Sequence, residues 1–175
     1  PTPTPQTPPT PPTGASTEGM GASVLALERA RVQKEMASAI WAMSKENVEN
    51  QIAIAHEGGI PPLIALLEGH QEVQCDVAGA LWSLAANAEN QLTIASKGGI
   101  RPLVELLKSG SPDAQETAAG ALHALAKAPT NRVAIADAGG IPSLTALFDG
   151  GSEEGKEQAA GALETLVKNN PSNQL

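Results

Sequence analysis

The sequence predicts an all-α protein, a solenoid of stacked three-helix units that share one continuous core. Three observations lead there. Hydrophobic residues make up 41% of the 175-residue chain, yet aromatics are 2% and Tyr is absent. An apolar content of Ala, Leu, Ile and Val suits closely approaching helices better than an aromatic-filled sheet. Double glycines recur at Gly58/Gly59, Gly98/Gly99 and Gly139/Gly140, and an Ala-Gly-Ala-Leu quartet starts at Ala78, Ala119 and Ala160, 41 residues apart each time. A fixed period of that length is the signature of a repeat architecture.

In chain order, residues 1–13 hold seven Pro and five Thr. Such a stretch has no apolar surface to bury and reads as an extended, polyproline-like arm or linker. Residues 14–21 continue as a flexible junction, so residues 1–22 form a disordered Thr/Pro-rich arm. Residues 23–49 hold a partial N-terminal repeat, its third helix matching VQKEMASAIWAM from Val32. Full units follow at 50–89, 90–130 and 131–172. Asn173-Gln174-Leu175 repeats the opening of a unit, which predicts a longer parent array.

Each unit reads as three helices. The first is a short amphipathic turn made by Ile52/Ala55, Leu92/Ala95 and Val133/Ala136. The double glycine ends it, because glycine takes a left-handed closing residue without a Cβ clash. Pro61, Pro102 and Pro142 then stand in a first turn, where the missing N–H costs nothing. The second helix is apolar at helical spacing over 63–67, 103–107 and 144–148. The third and longest runs over about 71–86, 112–127 and 153–168. Ser111 and Ser152 are its N-cap residues in two units. Its core stripe in the first full unit is Val77, Ala78, Leu81, Leu84 and Ala85. A glycine at 79, 120 and 161 costs about 1 kcal/mol of helix propensity against alanine. Repeated in one register, that cost predicts close approach of neighbouring third helices.

The pattern Asn-x3-Ile-Ala-x2-Gly-Gly-Ile-x-Pro-Leu followed by Ala-Gly-Ala-Leu resembles the armadillo repeat family over about residues 32–175. VAGALWSLA at 77–85 is most similar to the vacuolar armadillo scaffolds and the armadillo regions of plant-type U-box ubiquitin ligases. The resemblance implies an armadillo-type right-handed superhelix whose third helices line a concave groove. In importin-α-like members a Trp and an Asn four residues apart on that helix grip a basic peptide. Here the Trp position holds Ser38, Gly79, Gly120 and Gly161, and the Asn position Ala42, Ser83, Ala124 and Thr165. Neither ladder is kept, so nuclear-signal recognition is not expected.

The register supplies its own partner-binding candidates. Trp41, Trp82, His123 and Glu164 occupy one equivalent position, three residues past the glycine column. Tryptophan on a surface-leaning stripe is a frequent binding anchor, and the alternative is that it packs between third helices. Glu35, Asp76, Thr117 and Gln158 form a second column, whose acids would steer a partner's Lys or Arg. Ser83 holds the old Asn position. Lys127 belongs to a third column with Lys45, Ala86 and Lys168.

Net charge is −8, carried as −1, −5, +1 and −3 by residues 1–49, 50–89, 90–130 and 131–175. Without a basic stripe, no nucleic-acid partner is expected; a basic or neutral protein segment fits better. One cysteine, Cys75, makes no internal disulfide and fits a reducing compartment, cytoplasmic or nuclear. No apolar run is long enough to span a membrane. His56, His70, His123 and Cys75 fall at positions that vary between units, so no catalytic, metal or cofactor site is expected. The function read from sequence is a non-enzymatic interaction scaffold that binds a partner segment along the third helices. The alternatives are the substrate-recruiting region of a larger ubiquitin ligase, or a structural array.

Overall fold

A computed structural model of the chain describes residues 17–168, with side chains from residue 23 onward. The Pro-rich stretch of the arm and the closing Asn173-Gln174-Leu175 lie outside the described residues. The helices are α1 (Thr17–Ser44), α2 (Val48–His56), α3 (Ile60–Leu67), α4 (Gln71–Leu84), α5 (Ala88–Ser96), α6 (Ile100–Ser109), α7 (Pro112–Ala126), α8 (Pro129–Asp137), α9 (Gly140–Gly150) and α10 (Glu153–Val167). Among the described residues there is no strand. Three triplets, α2–α4, α5–α7 and α8–α10, follow the lone third helix α1. That helix begins at Thr17, inside the stretch read from sequence as a flexible junction.

The third helices α1, α4, α7 and α10 stack side by side in that order. Helix α7, covered on both sides, buries Ala118, Ala119, Ala121, Leu122 and Leu125 completely. Val77, Ala78, Leu81 and Leu84 do the same in α4, as does its C-cap Ala85. One hydrophobic cluster runs from Ala37 to Leu166, so each unit completes its core only against its neighbours.

Caps fall where the chemistry of the ends requires them. The side chains of Ser111 and Ser152 accept from the backbone N–H of Ala114 (3.3 Å) and Gly155 (3.0 Å). Asn47 and Asn87 do the same for α2 and α5, giving partners to first-turn donors that the helix cannot satisfy. The two glycines of each pair have different reasons. Gly58, Gly98 and Gly139 lie in the left-handed region, with φ of 78°, 83° and 82°. The second glycine has no such φ, but a Cβ there would meet the carbonyl oxygen of Ile54, Ile94 or Ile135 at 2.8, 3.0 or 2.7 Å.

Two sequence expectations are corrected. Ile52, Leu92 and Val133 point outward, 48%, 51% and 49% exposed, and Phe148 is 47% exposed while Leu147 is buried. The first helix instead turns in Ile94 and Ile135, both fully buried, and beside them a polar column: Gln51, Asn90, Gln91 and Asn131 are all buried. The cause is the C-terminal end of the preceding third helix, whose last carbonyls lack intrahelical donors. Asn90 Nδ2 donates to Leu84 O (3.0 Å) and to Gln51 O (3.0 Å), and Asn131 Nδ2 donates to Leu125 O (3.1 Å) and Gln91 O (3.0 Å). Each asparagine therefore closes one helix and ties its own unit to the one before.

Candidate partner-binding surface

The glycine column and the aromatic column are one device. A Cβ placed on Gly79 would stand 2.5 Å from Cδ2 of Trp41, and one on Gly120 would stand 2.6 Å from Cδ2 of Trp82. On Gly161 it would meet Cε1 of His123 at 2.6 Å. Each ring therefore lies on the bare backbone of the next third helix. The packing role weighed from the sequence for Trp41 and Trp82 is present, and His123 shares it. All three stay only partly buried, so part of each ring remains at the surface. The rings form a row along the stack, and Glu164 is exposed at its end.

The remaining candidates separate. Glu35 is exposed and pairs with Arg31 Nε at 3.1 Å. Asp76 and Ser83 are half-buried, and Lys127 is exposed as the C-cap of α7. Thr117 does not share the surface of its column: it is 4% exposed, and its Oγ1 donates to Asp113 O and Ala114 O at 3.0 and 3.1 Å. Gln158 is half-buried and lies close enough to His123 to raise its imidazole pKa. The two acids of the column, Glu35 and Asp76, thus stand on α1 and α4.

Burial lowers the imidazole pKa of His123 from its ordinary value, with help from the Lys127 charge, against Gln158 and Glu164. Burial also pushes the Cys75 thiol up, so the thiolate needed by a nucleophile is disfavoured. Among the described residues no group of three His, Cys, Asp or Glu could hold a metal ion. No helix among them is long and apolar enough to cross a membrane.

Between the first two tryptophans lies a cavity of about 330 Å³, bounded by Trp41, Lys45, Glu46, Gln51, Trp82 and Ser83. Gln51 is 2% exposed. Its Nε2 donates to Ser44 O at 2.9 Å, while its Oε1 is buried without a hydrogen-bond partner. An orphaned buried acceptor costs about 1–3 kcal/mol. Glu46 closes α1 in the left-handed region at φ 57°, where a non-glycine residue is strained. Sequence reasoning missed Gln51, Glu46 and also Arg132. The one available signal was the column Gln51, Gln91, Arg132, polar in every unit just after the asparagine.

The family model for the Armadillo/beta-catenin-like repeat matches residues 47–86, 87–127 and 129–168. The chain belongs to the armadillo repeat family. Each matched unit starts a few residues before the boundaries read from the sequence. A crystal structure of an engineered protein is 32% identical with a TM-score of 0.78, over 82% of this chain and 60% of that one. A computationally designed armadillo repeat protein for modular peptide recognition is 25% identical with a TM-score of 0.75, over 93% of this chain and 64% of that one. Another designed armadillo repeat protein, solved with a (KR)4 peptide, is 22% identical with a TM-score of 0.70 and covers 93% of this chain and 64% of that one. The chain thus spans under two thirds of the length of each. Curated proteins gave no match.

Proposed function

We propose that the chain is a non-enzymatic scaffold that binds an extended protein segment along the row of third helices. The observation that carries this reading is the ring row. Trp41, Trp82 and His123 repeat at one register, seated on Gly79, Gly120 and Gly161 and open on one side. A segment with side chains at regular spacing meets rings at matching intervals along such a row. Family membership supports the reading, as does a 25%-identical designed relative described as made for modular peptide recognition. Glu35 and Asp76 on the same helices favour a basic segment over an acidic one, and nucleic acid finds no basic stripe.

The test is peptide display against the chain, followed by binding to Glu35→Lys and Asp76→Lys proteins. Neither residue packs in the core, so the fold should survive both changes. Selected peptides should lose about tenfold or more in affinity for the double variant. Unchanged affinity, with protection from exchange confined to α3, α6 and α9, would sink this reading.

The similarity of VAGALWSLA at 77–85 to U-box ligase armadillo regions keeps substrate recruitment for a larger ubiquitin ligase as a second reading. It predicts that the partner captured by this surface is ubiquitylated in cells expressing the full-length parent. A partner whose ubiquitylation is indifferent to the double variant would count against it.

A further inference from the structure

Four columns are buried in every third helix but one. In α4 they hold Val73, Val77, Ala80 and Leu84, all buried, and the same columns are buried in α7 and α10. In α1 they hold Val32, Met36, Ala39 and Met43, and all four are exposed, Val32 by 52%, Met36 by 59% and Met43 by 52%. Leu25, 72% exposed, lies seven residues before Val32 and lengthens the stripe. At about 100° per residue the five side chains fall within an arc of about 60°, on the side of α1 opposite Trp41. The stripe runs about 27 Å at 1.5 Å per residue.

In the full units this side of the third helix is taken by a second helix. Helix α3 lies along α4, α6 along α7 and α9 along α10. Ile60, Leu63, Ile64 and Leu67 are buried in α3, and Ile100, Leu103, Val104 and Leu107 in α6, each set at i, i+3, i+4 and i+7. Among the described residues no helix takes that place on α1.

A preceding unit is not what α1 is shaped to receive. Ser38 stands in the glycine column. Its Cβ occupies the place that Gly79 leaves bare for Trp41, so a ring from a preceding third helix could not seat there in the same way. One open side of α1 is thus closed to the ring joint, while the other stays apolar. Methionine stands at two of the four columns, where α4 has Val77 and Leu84. Its unbranched thioether adapts to a partner that is not fixed in place.

We propose that the stripe from Leu25 to Met43 docks an amphipathic helix of another protein, one carrying Leu, Ile or Val at i, i+3, i+4 and i+7 as α3 and α6 do. The chain offers no such helix itself. Residues 1–16 contain no Leu, Ile, Val, Met or Phe. In a second copy the matching residues of α3 and α6 are already buried. The site goes beyond the peptide row, since it faces away from Trp41 and uses none of the rings.

Two of the three methionines in the chain, Met36 and Met43, lie in the stripe, so methionine methyl resonances report on it directly. The experiment titrates the 175-residue chain with a lactam-bridged helix of about 16 residues. That helix has Leu at i, i+3, i+4 and i+7 with Glu or Lys elsewhere, and its scrambled isomer is the control. The patterned helix should shift the Met36 and Met43 methyl signals saturably and bind about tenfold or more tighter than the isomer. A Val32→Glu, Met36→Glu double variant should weaken binding about tenfold. Both side chains are exposed, so its melting temperature should hold.

No methyl shift at millimolar helix, an equal response to the scrambled isomer, or undiminished binding by the folded double variant would each overturn the site. So would sedimentation showing that the chain alone is a dimer which the double variant dissolves, because a second copy would then cover the stripe. Displayed peptides that ignore Glu35 and Asp76 would remove the scaffold reading and leave this site standing.

Discussion

Trp82 lies flat on Gly120: a single added carbon at that glycine would come within 2.6 Å of the indole at Cδ2 and Cε2. The contact sets the distance between α4 and α7, and the same seating recurs for Trp41 on Gly79 and His123 on Gly161. The proposed binding row and the inter-repeat joint are therefore built from the same rings.

Gly120→Ala tests the joint. Alanine should gain about 1 kcal/mol in helix propensity, but the indole must leave its seat, and overpacking of this kind costs about 1–3 kcal/mol. The expected outcome is a net loss of up to about 2 kcal/mol in urea unfolding, with red-shifted tryptophan emission as Trp82 moves toward water. A more stable variant with unchanged emission would show that the seat is loose.

Asn131 joins two units through one amide group. Asn131→Ala should cost about 1–3 kcal/mol, because Gln91 O and Leu125 O each lose a buried donor. Asn131→Asp should cost more, since a carboxylate has no donor and would face two carbonyl oxygens. Urea denaturation of both proteins decides the order, and an Asp variant as stable as wild type would refute the assignment.

Gly98 and Gly99 should respond differently to alanine. Gly98→Ala must place a Cβ at φ 83°, a strain of about 1–2 kcal/mol, and Gly98→Asn should recover part of it. Gly99→Ala has an ordinary φ but drives a Cβ to 3.0 Å from Ile94 O and 2.7 Å from its Cγ2, so asparagine should bring no relief there. Thermal melts of the four variants check the pattern.

His123 makes stability depend on pH. Its folded-state pKa is lowered from 6.5, by burial first and then by Lys127. The unfolded chain therefore binds the proton more readily than the folded one. The contribution is fully present above the unfolded value and is lost as pH falls through the folded one. His123→Trp, which restores the residue type of positions 41 and 82, should flatten the difference in melting temperature between pH 7.5 and about pH 5.5. An unchanged pH profile would place the acid sensitivity elsewhere.

Much of this was legible in the residues. The three-helix period, the capping serines Ser111 and Ser152, the glycine stops and the close approach at 79, 120 and 161 all follow from local rules repeated in register. The inward face of the first helix was not legible. Ile52, Leu92 and Val133 stood out as its apolar residues, whereas the structure buries Ile94 and Ile135 and, beside them, Gln51, Gln91 and the asparagines. Their partners are carbonyls at the ends of other helices, and no pattern within nine residues reveals them. Arg132 was overlooked for the same reason, because the carbonyl of Lys168 that it reaches lies 36 residues away.

By itself, then, the sequence determined the brick: a repeated set of helices whose apolar stripe is too wide to be hidden within one unit. Only the tertiary structure decided how bricks are joined, with rings on glycines and amides on carbonyls, and that one joint is left with an acceptor unfilled. The reason is physical. Helix formation and the apolar pattern are set by neighbours in sequence, whereas a buried polar atom is satisfied or orphaned only by what the assembled stack brings within about 3 Å of it.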